Sequence, residues 1–291
     1  MPAFIPRLSL FLAALFSFLS AVAANAPQYP TTLEVDIVFP RNDTYAPVDV
    51  FPLVIAIQNN SLSQFLDFDM VLLWTIISHV DNHSTVVDSG SFETNPPTSD
   101  DQRYLVSAAT KLNSTEGRFS FYWNLAVNNC SIANVNANGT STIDTLHIDY
   151  STETYFTLQN DAQRPDLIAA TSPDTCASME AIVVNITGHT RIPGVSPIPG
   201  LSPEEQLQCP IIRNATVPPT PCSVRLNQTQ AAVISASATV VACDKWPTDY
   251  PGYKTACENR TGSAASPPNT ATVQASVWAA FGVLFVFTYV F

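Results

Sequence analysis

Phe119, Phe121, Trp123, Leu125 and Val127 alternate strictly with Ser120, Tyr122, Asn124 and Ala126. A repeat of two places five large apolar side chains on one face of a β-strand and polar ones on the other. A helix would scatter the same residues around its axis. This segment commits the chain to a sheet that buries one face. Leu33, Val35, Ile37 and Phe39 alternate with Thr32, Glu34 and Asp36 in the same way, which predicts another half-buried strand. Ile182, Val184 and Ile186 face opposite Ala181, Val183 and Asn185. Phe51 to Ile57 and Met70 to Ile77 are continuous apolar runs of strand length and read as central strands. Shorter candidates are Thr85–Phe92, Arg103–Ala109, Leu146–Tyr150 and Thr154–Leu158. Many short strands punctuated by Pro, Asn, Asp and Gly predict a mainly β fold, an antiparallel Ig-like β-sandwich.

The composition changes after residue 192. Eight prolines fall between Pro193 and Cys222, and proline lacks the N–H that a sheet ladder requires. This stretch is expected to be a loop or extended connection. Asn227 to Ala242 then reads as one helix with Val233, Ala236, Val240 and Val241 on one face. Six cysteines, Cys130, Cys176, Cys209, Cys222, Cys243 and Cys257, form an even set without a C-x-x-C pair or a Cys/His cluster. They predict three disulfides, in any of fifteen connectivities. Four of them lie in the last third of the chain, so the C-terminal segment with its helix is expected to be disulfide-pinned.

Both ends carry processing patterns. Leu8 to Leu19 is apolar behind Arg7, and Ala21-Val22-Ala23 fits a signal-peptide cleavage rule. Val277 to Phe291 is apolar but for Thr288, and at about 1.5 Å per residue is short for a spanning helix. Small residues at Gly262-Ser263-Ala264-Ala265 and a polar spacer precede it, the pattern of a glycosylphosphatidylinositol signal. The expected organisation is a signal peptide over 1–23, a β-sandwich over 24–192, a Pro-rich connection over 193–222 and a stapled helical segment over 223–261. A stalk with the lipid-attachment region follows over 262–276, then a removed tail over 277–291. Ser263 is the expected attachment residue, with Gly262 the alternative. The expected location is the extracellular face of the plasma membrane or the cell wall.

Ten Asn-x-Ser/Thr sequons are spread over the chain: Asn42, Asn59, Asn82, Asn113, Asn129, Asn138, Asn185, Asn214, Asn227 and Asn259. With processing at both ends they predict a heavily glycosylated surface protein. The whole chain has 12 Lys+Arg against 24 Asp+Glu, a net charge of −12. That excludes nucleic acid as an expected partner, because phosphate binding needs a basic surface. The expected partners are wall polysaccharide or another surface protein, with the membrane reached through the lipid.

Few residues carry a chemical signature. Asp88-Ser89-Gly90 resembles the catalytic segment of aspartic proteases, but that chemistry needs two such aspartates and the chain has one motif. It reads better as a polar turn at a strand end. His79 and His83 are four apart, yet follow an apolar strand and flank an expected turn instead of lying on a helix. Asp144, Asp149 and Glu153, or Asp67 and Asp69, could form the paired carboxylates of a glycosidase if they lay ~5–9.5 Å apart. Solvated surface charge is the favoured reading. Trp74 and Trp123 are assigned to the core. Tyr122, Trp246, Tyr250 and Tyr253 are candidates for stacking on sugar rings, with the Pro-rich loop around Trp246 and Tyr250 favoured as the exposed platform. No catalytic, cofactor-binding or metal-binding residue is assigned.

Phe39-Pro40-Arg41-Asn42-Asp43-Thr44-Tyr45-Ala46-Pro47, followed by Phe51 to Asn59, resembles the opening of a fungal family of secreted proteins of unknown function. Gln163 to Thr171 resembles a second segment of that family, and Pro221-Cys222 to Ala242-Cys243 a third. The resemblance covers roughly residues 31 to 245. It implies a fungal source and a surface or extracellular location, and supplies no catalytic residues. A non-enzymatic lipid-anchored surface glycoprotein is the expected function. A carbohydrate-binding module and, behind it, a wall-remodelling hydrolase are the alternatives.

Overall fold

The computed structural model describes residues 27–80, 83–94, 100–113, 115–135, 141–191, 208–214, 217–250, 253 and 257. The signal peptide, Gly262, Ser263, the apolar tail and the sequons Asn82, Asn138 and Asn259 lie outside the described residues. Among the described residues ten strands form two five-stranded sheets. In sheet A, β1 (Thr31–Phe39) lies between β9 (Ala181–Arg191) and β3 (Phe51–Gln58). The sheet ends in β6 (Gln102–Ala109) on one side and β10 (Gln208–Arg213) on the other. Sheet B has the order β2 (Thr44–Tyr45), β8 (Ser141–Leu158), β7 (Gly117–Val135), β4 (Val71–Val80), β5 (His83–Phe92). All pairings are antiparallel except β2 with β8.

The set β1-β3-β6 against β8-β7-β4-β5 is the connectivity of an Ig-like sandwich, in which strands A, B and E face G, F, C and C′. Trp74 is buried on β4, the position of the buried tryptophan of such folds, and is paired in register with Trp123 on β7. The strongest alternation in the chain became the middle strand of sheet B. Phe119, Phe121, Trp123, Leu125 and Val127 are all fully buried. Phe156 stacks on Phe51 across the interior, ring centroids 5.2 Å apart, and on Phe119 at 5.5 Å.

Several expectations are corrected. Leu146–Tyr150 and Thr154–Leu158 belong to one 18-residue strand, β8, because β7 offers a partner along its whole length. The Pro-rich connection contains β10, where Pro210 is tolerated because the strand is at a sheet edge. β1 is not half-buried, since Glu34 and Asp36 are covered too.

That cover comes from the C-terminal segment. After the short helix α1 (Leu167–Ala170), residues 217–226 and helix α2 (Gln228–Lys245) lie over the outer face of sheet A. Asn227 caps α2, its side chain accepting from Gln230 N while the Gln230 side chain accepts from Asn227 N. The buried face of α2 is Ile234, Ala238 and Ala242, four residues apart, and not the valine face expected; Val233 is 41% exposed. Ala238 and Ala242 meet Ala108 of β6, and only side chains this small let a helix lie so close to a sheet.

Two of the three disulfides tie the C-terminal part of the chain to the sandwich, and one of these fastens the outer layer. Cys130–Cys209 joins β7 to β10, and Cys176–Cys222 joins the turn after α1 to the segment before α2. Cys243–Cys257 closes a local loop at the end of α2. The staples therefore bind the C-terminal part to the sandwich more than to itself. Three disulfides are consistent with an extracellular or secreted protein. Among the described residues, no helix is long and apolar enough to cross a membrane.

Candidate functional site

The two outer sheet faces differ. On sheet A, Glu34 accepts from Thr220 N at 2.6 Å and from Thr220 Oγ1 at 3.0 Å, which holds residues 217–222 down. Asp36 is fully buried; one carboxyl oxygen accepts from Gln58 at 2.9 Å and the other has no partner. Burial pushes the Asp36 carboxyl well above the usual carboxylate range, to about 8. The Gln58 hydrogen bond pulls against this and the Glu34 charge adds to it.

On sheet B the outer face is open. Val71, Leu73 and Tyr122 are 41%, 49% and 39% exposed, and Tyr155 is exposed to a similar degree. Register places Tyr122 opposite Thr75 on one side and Glu153 on the other, and Asn124 opposite Leu73 and Ser151. Residues directly opposite in an antiparallel pair share a face, so apolar and hydrogen-bonding groups alternate across three strands. Tyr155 is held in place: its hydroxyl donates to Glu153 Oε2 at 2.9 Å, and the Arg118 guanidinium lies 4.7 Å from its ring centroid. The hydrogen bond to Glu153 and the charge beside it raise the Tyr155 hydroxyl pKa above its ordinary value. Among the described residues Tyr122 has no such tie.

A groove opens beside this face. Glu153 and Tyr155 help line a cavity of about 300 Å³ at the β8 side of sheet B. Arg41, Asn42 and Ser178 line it too, and the same three residues line a larger cavity of about 430 Å³. Sequence reading assigned no role to Arg41. Its position in the first family-like segment was the one available signal, for the second segment, Gln163 to Thr171, supplies the opposite wall of the larger cavity.

The other candidate residues fall as follows. Trp246 is 7% exposed and stacks on Tyr250 at 4.6 Å, so the expected C-terminal aromatic platform is instead a small satellite core with Tyr253 at its margin. Asp88 is buried at the β5–β6 junction, where it accepts from Thr110 N at 2.9 Å with Lys111 3.8 Å away. A Cβ on Gly90 would come within 2.8 Å of the Trp74 indole, so this glycine is there to let the tryptophan pack. His79 and His83 lie on paired strands at adjacent register positions, hence on opposite faces. His79 is engaged by Ser84 and Ser120 at 3.1 and 2.9 Å. Asp149 and Glu153 are four positions apart on one strand, about 13 Å; the Asp144 side chain is outside the described part. Asp67 and Asp69 share a turn beside Arg103. Among the described residues no three His, Cys, Asp or Glu side chains converge on a metal-sized site.

The sequons also divide. Asn42, Asn113, Asn214 and Asn227 are exposed and Asn129 half-buried. The Asn59 amide donates to Thr31 Oγ1 and Thr32 O, and Asn185 is 8% exposed with its amide donating to Asn214 O. The Asn113 amide is engaged as well, donating to Asp49 Oδ1 and to the Tyr250 hydroxyl.

Fold and surface define an Ig-like β-sandwich with one sheet shielded by a stapled helix and the other open. The chain belongs to the family described as Domain of unknown function (DUF7136), whose model matches residues 28–251. Comparison with curated proteins finds no match.

Proposed function

We propose that this protein is a non-enzymatic, lipid-anchored surface glycoprotein of a fungus that engages cell-wall polysaccharide through the open face of sheet B. The observation that carries the proposal is the exposed Tyr122 ring beside the braced Tyr155 on a sheet face that no described helix covers. Aromatic faces stack on the apolar faces of sugar rings, and the flanking Glu153, Asn124, Ser151 and Thr75 suit hydroxyl groups. None of the described sequon asparagines is among the residues that form this face, so glycans there would not stand on it. The anchor and the secretory route rest on the terminal sequence patterns.

Depletion of the purified protein onto insoluble chitin and β-glucan, assayed together with soluble sugar release, tests this. The expected result is depletion without products, weakened up to about tenfold in Tyr122→Ala, since an aromatic contact is worth ~0.5–1.5 kcal/mol. Released sugar would refute the non-enzymatic reading. Absence of depletion would redirect the search to protein partners.

A further inference from the structure

Arg41 leaves β1 just after Phe39-Pro40, and its side chain is 7% exposed. It donates to Ile37 O at 3.3 Å, Thr175 O at 2.8 Å and Ser178 Oγ at 2.7 Å. Among the described residues no carboxylate lies within ion-pair distance of it. A charge this deeply placed is ordinarily paired; here three neutral acceptors fix the guanidinium in the walls of both cavities of the groove.

The larger cavity also presents Asp43, Asp161, Gln163, Arg164 and Asp166. These are planar donors and acceptors of both signs, and two are locked in place. Asp43 accepts from Thr44 N at 2.7 Å, and Asp166 caps α1 by accepting from Ile168 N and Ala169 N at 2.9 and 3.0 Å. Three carboxylates against two guanidiniums disfavour a simple anion, and five charged side chains in a lining that also holds Tyr45, Ala169 and Ala170 disfavour a purely apolar ligand. Adjacent hydroxyl groups, each donor and acceptor at once, match such a lining. A volume of about 430 Å³ is at the small end for small-molecule pockets. The smaller cavity then runs to Glu153 and Tyr155 at the border of the open face.

We propose that the Arg41 cavity is a subsite for the terminal sugar of a chain that lies across sheet B and turns over β8. This deepens the polysaccharide reading and rests on it. It assigns the two converging family segments to recognition of a chain end, with Arg41, Asp161 and Arg164 as the polar contacts.

The test is titration calorimetry of the full protein with soluble β-glucan and chitin trisaccharides and hexasaccharides. An endoglycosidase trims the protein first, because Asn42 stands in both cavity walls. Arg164 and Asp161 are exposed, so Arg164→Ala and Asp161→Asn leave the core intact. The expected result is at least tenfold weaker trisaccharide binding in either variant. Tyr122→Ala should weaken the hexasaccharide more than the trisaccharide. Unchanged trisaccharide affinity in both pocket variants overturns the subsite, as does wild-type protein that binds neither sugar or binds free amino acids instead. Arg164-dependent trisaccharide binding without depletion onto insoluble polymer would keep the subsite and overturn the open-face reading.

Discussion

Sheet A and sheet B start from similar sequence and end in opposite environments. β1 of sheet A carries Glu34 and Asp36 on its outer face, and both are buried. β4 of sheet B carries Val71 and Leu73 on its outer face, and both are exposed. Polarity alone would assign these faces the other way round. The difference is the layer of residues 217–245, which docks on sheet A through Thr220, Ala238 and Ala242 and is fastened by Cys176–Cys222. A sandwich needs only its interior to fold. What happens to each outer face is a separate matter, and here one is used for stability and the other is left free.

The largest effect should come from breaking the docked layer. Ala238→Asp places a charge at a 1% exposed position against β6 and should destabilise the protein by about 3 kcal/mol or more. The same change at exposed Leu73 should cost less than about 0.5 kcal/mol. Urea denaturation of both variants checks this, and equal losses would erase the distinction between the two faces.

A second effect concerns pH. The native Asp36 carboxyl holds its proton to about pH 8, whereas the unfolded chain releases it near pH 4. Between these values the native state binds more protons, so stability falls as pH rises, by at most about 1.4 kcal/mol per unit from this group. Above the window the loss is complete, and below it there is none. Thermal melts from pH 5 to 9 should therefore show a declining midpoint that Asp36→Asn flattens. A slope unaltered by that substitution would mean that the shielded face does not hold the acid in its neutral form.

Much of the sandwich was legible because strand alternation reports burial between two sheets. Phe119 to Val127 is the clearest instance. Alternation cannot report a third layer, so by itself it points Glu34 and Asp36 at solvent. The α2 face differs from the valine face for a related reason: contact with a flat sheet selects the small side chains of Ala238 and Ala242. Tyr122 was recognisable as a polar-face aromatic within an alternating strand. Tyr155 lay in a strand read too short, and Arg41 depends on residues 175 and 178, which no local pattern connects to it. Trp246 was misplaced because nearby prolines suggested an exposed loop, whereas Tyr250 and the Cys243–Cys257 loop enclose it.

The division of labour between the two faces is tested most directly by side-chain NMR during titration with a soluble β-glucan or chitin hexasaccharide. The account predicts shifts in Leu73, Tyr122 and Tyr155, with Val233 and Val241 on α2 unmoved. Shifts confined to α2, with the sheet B residues silent, would contradict it.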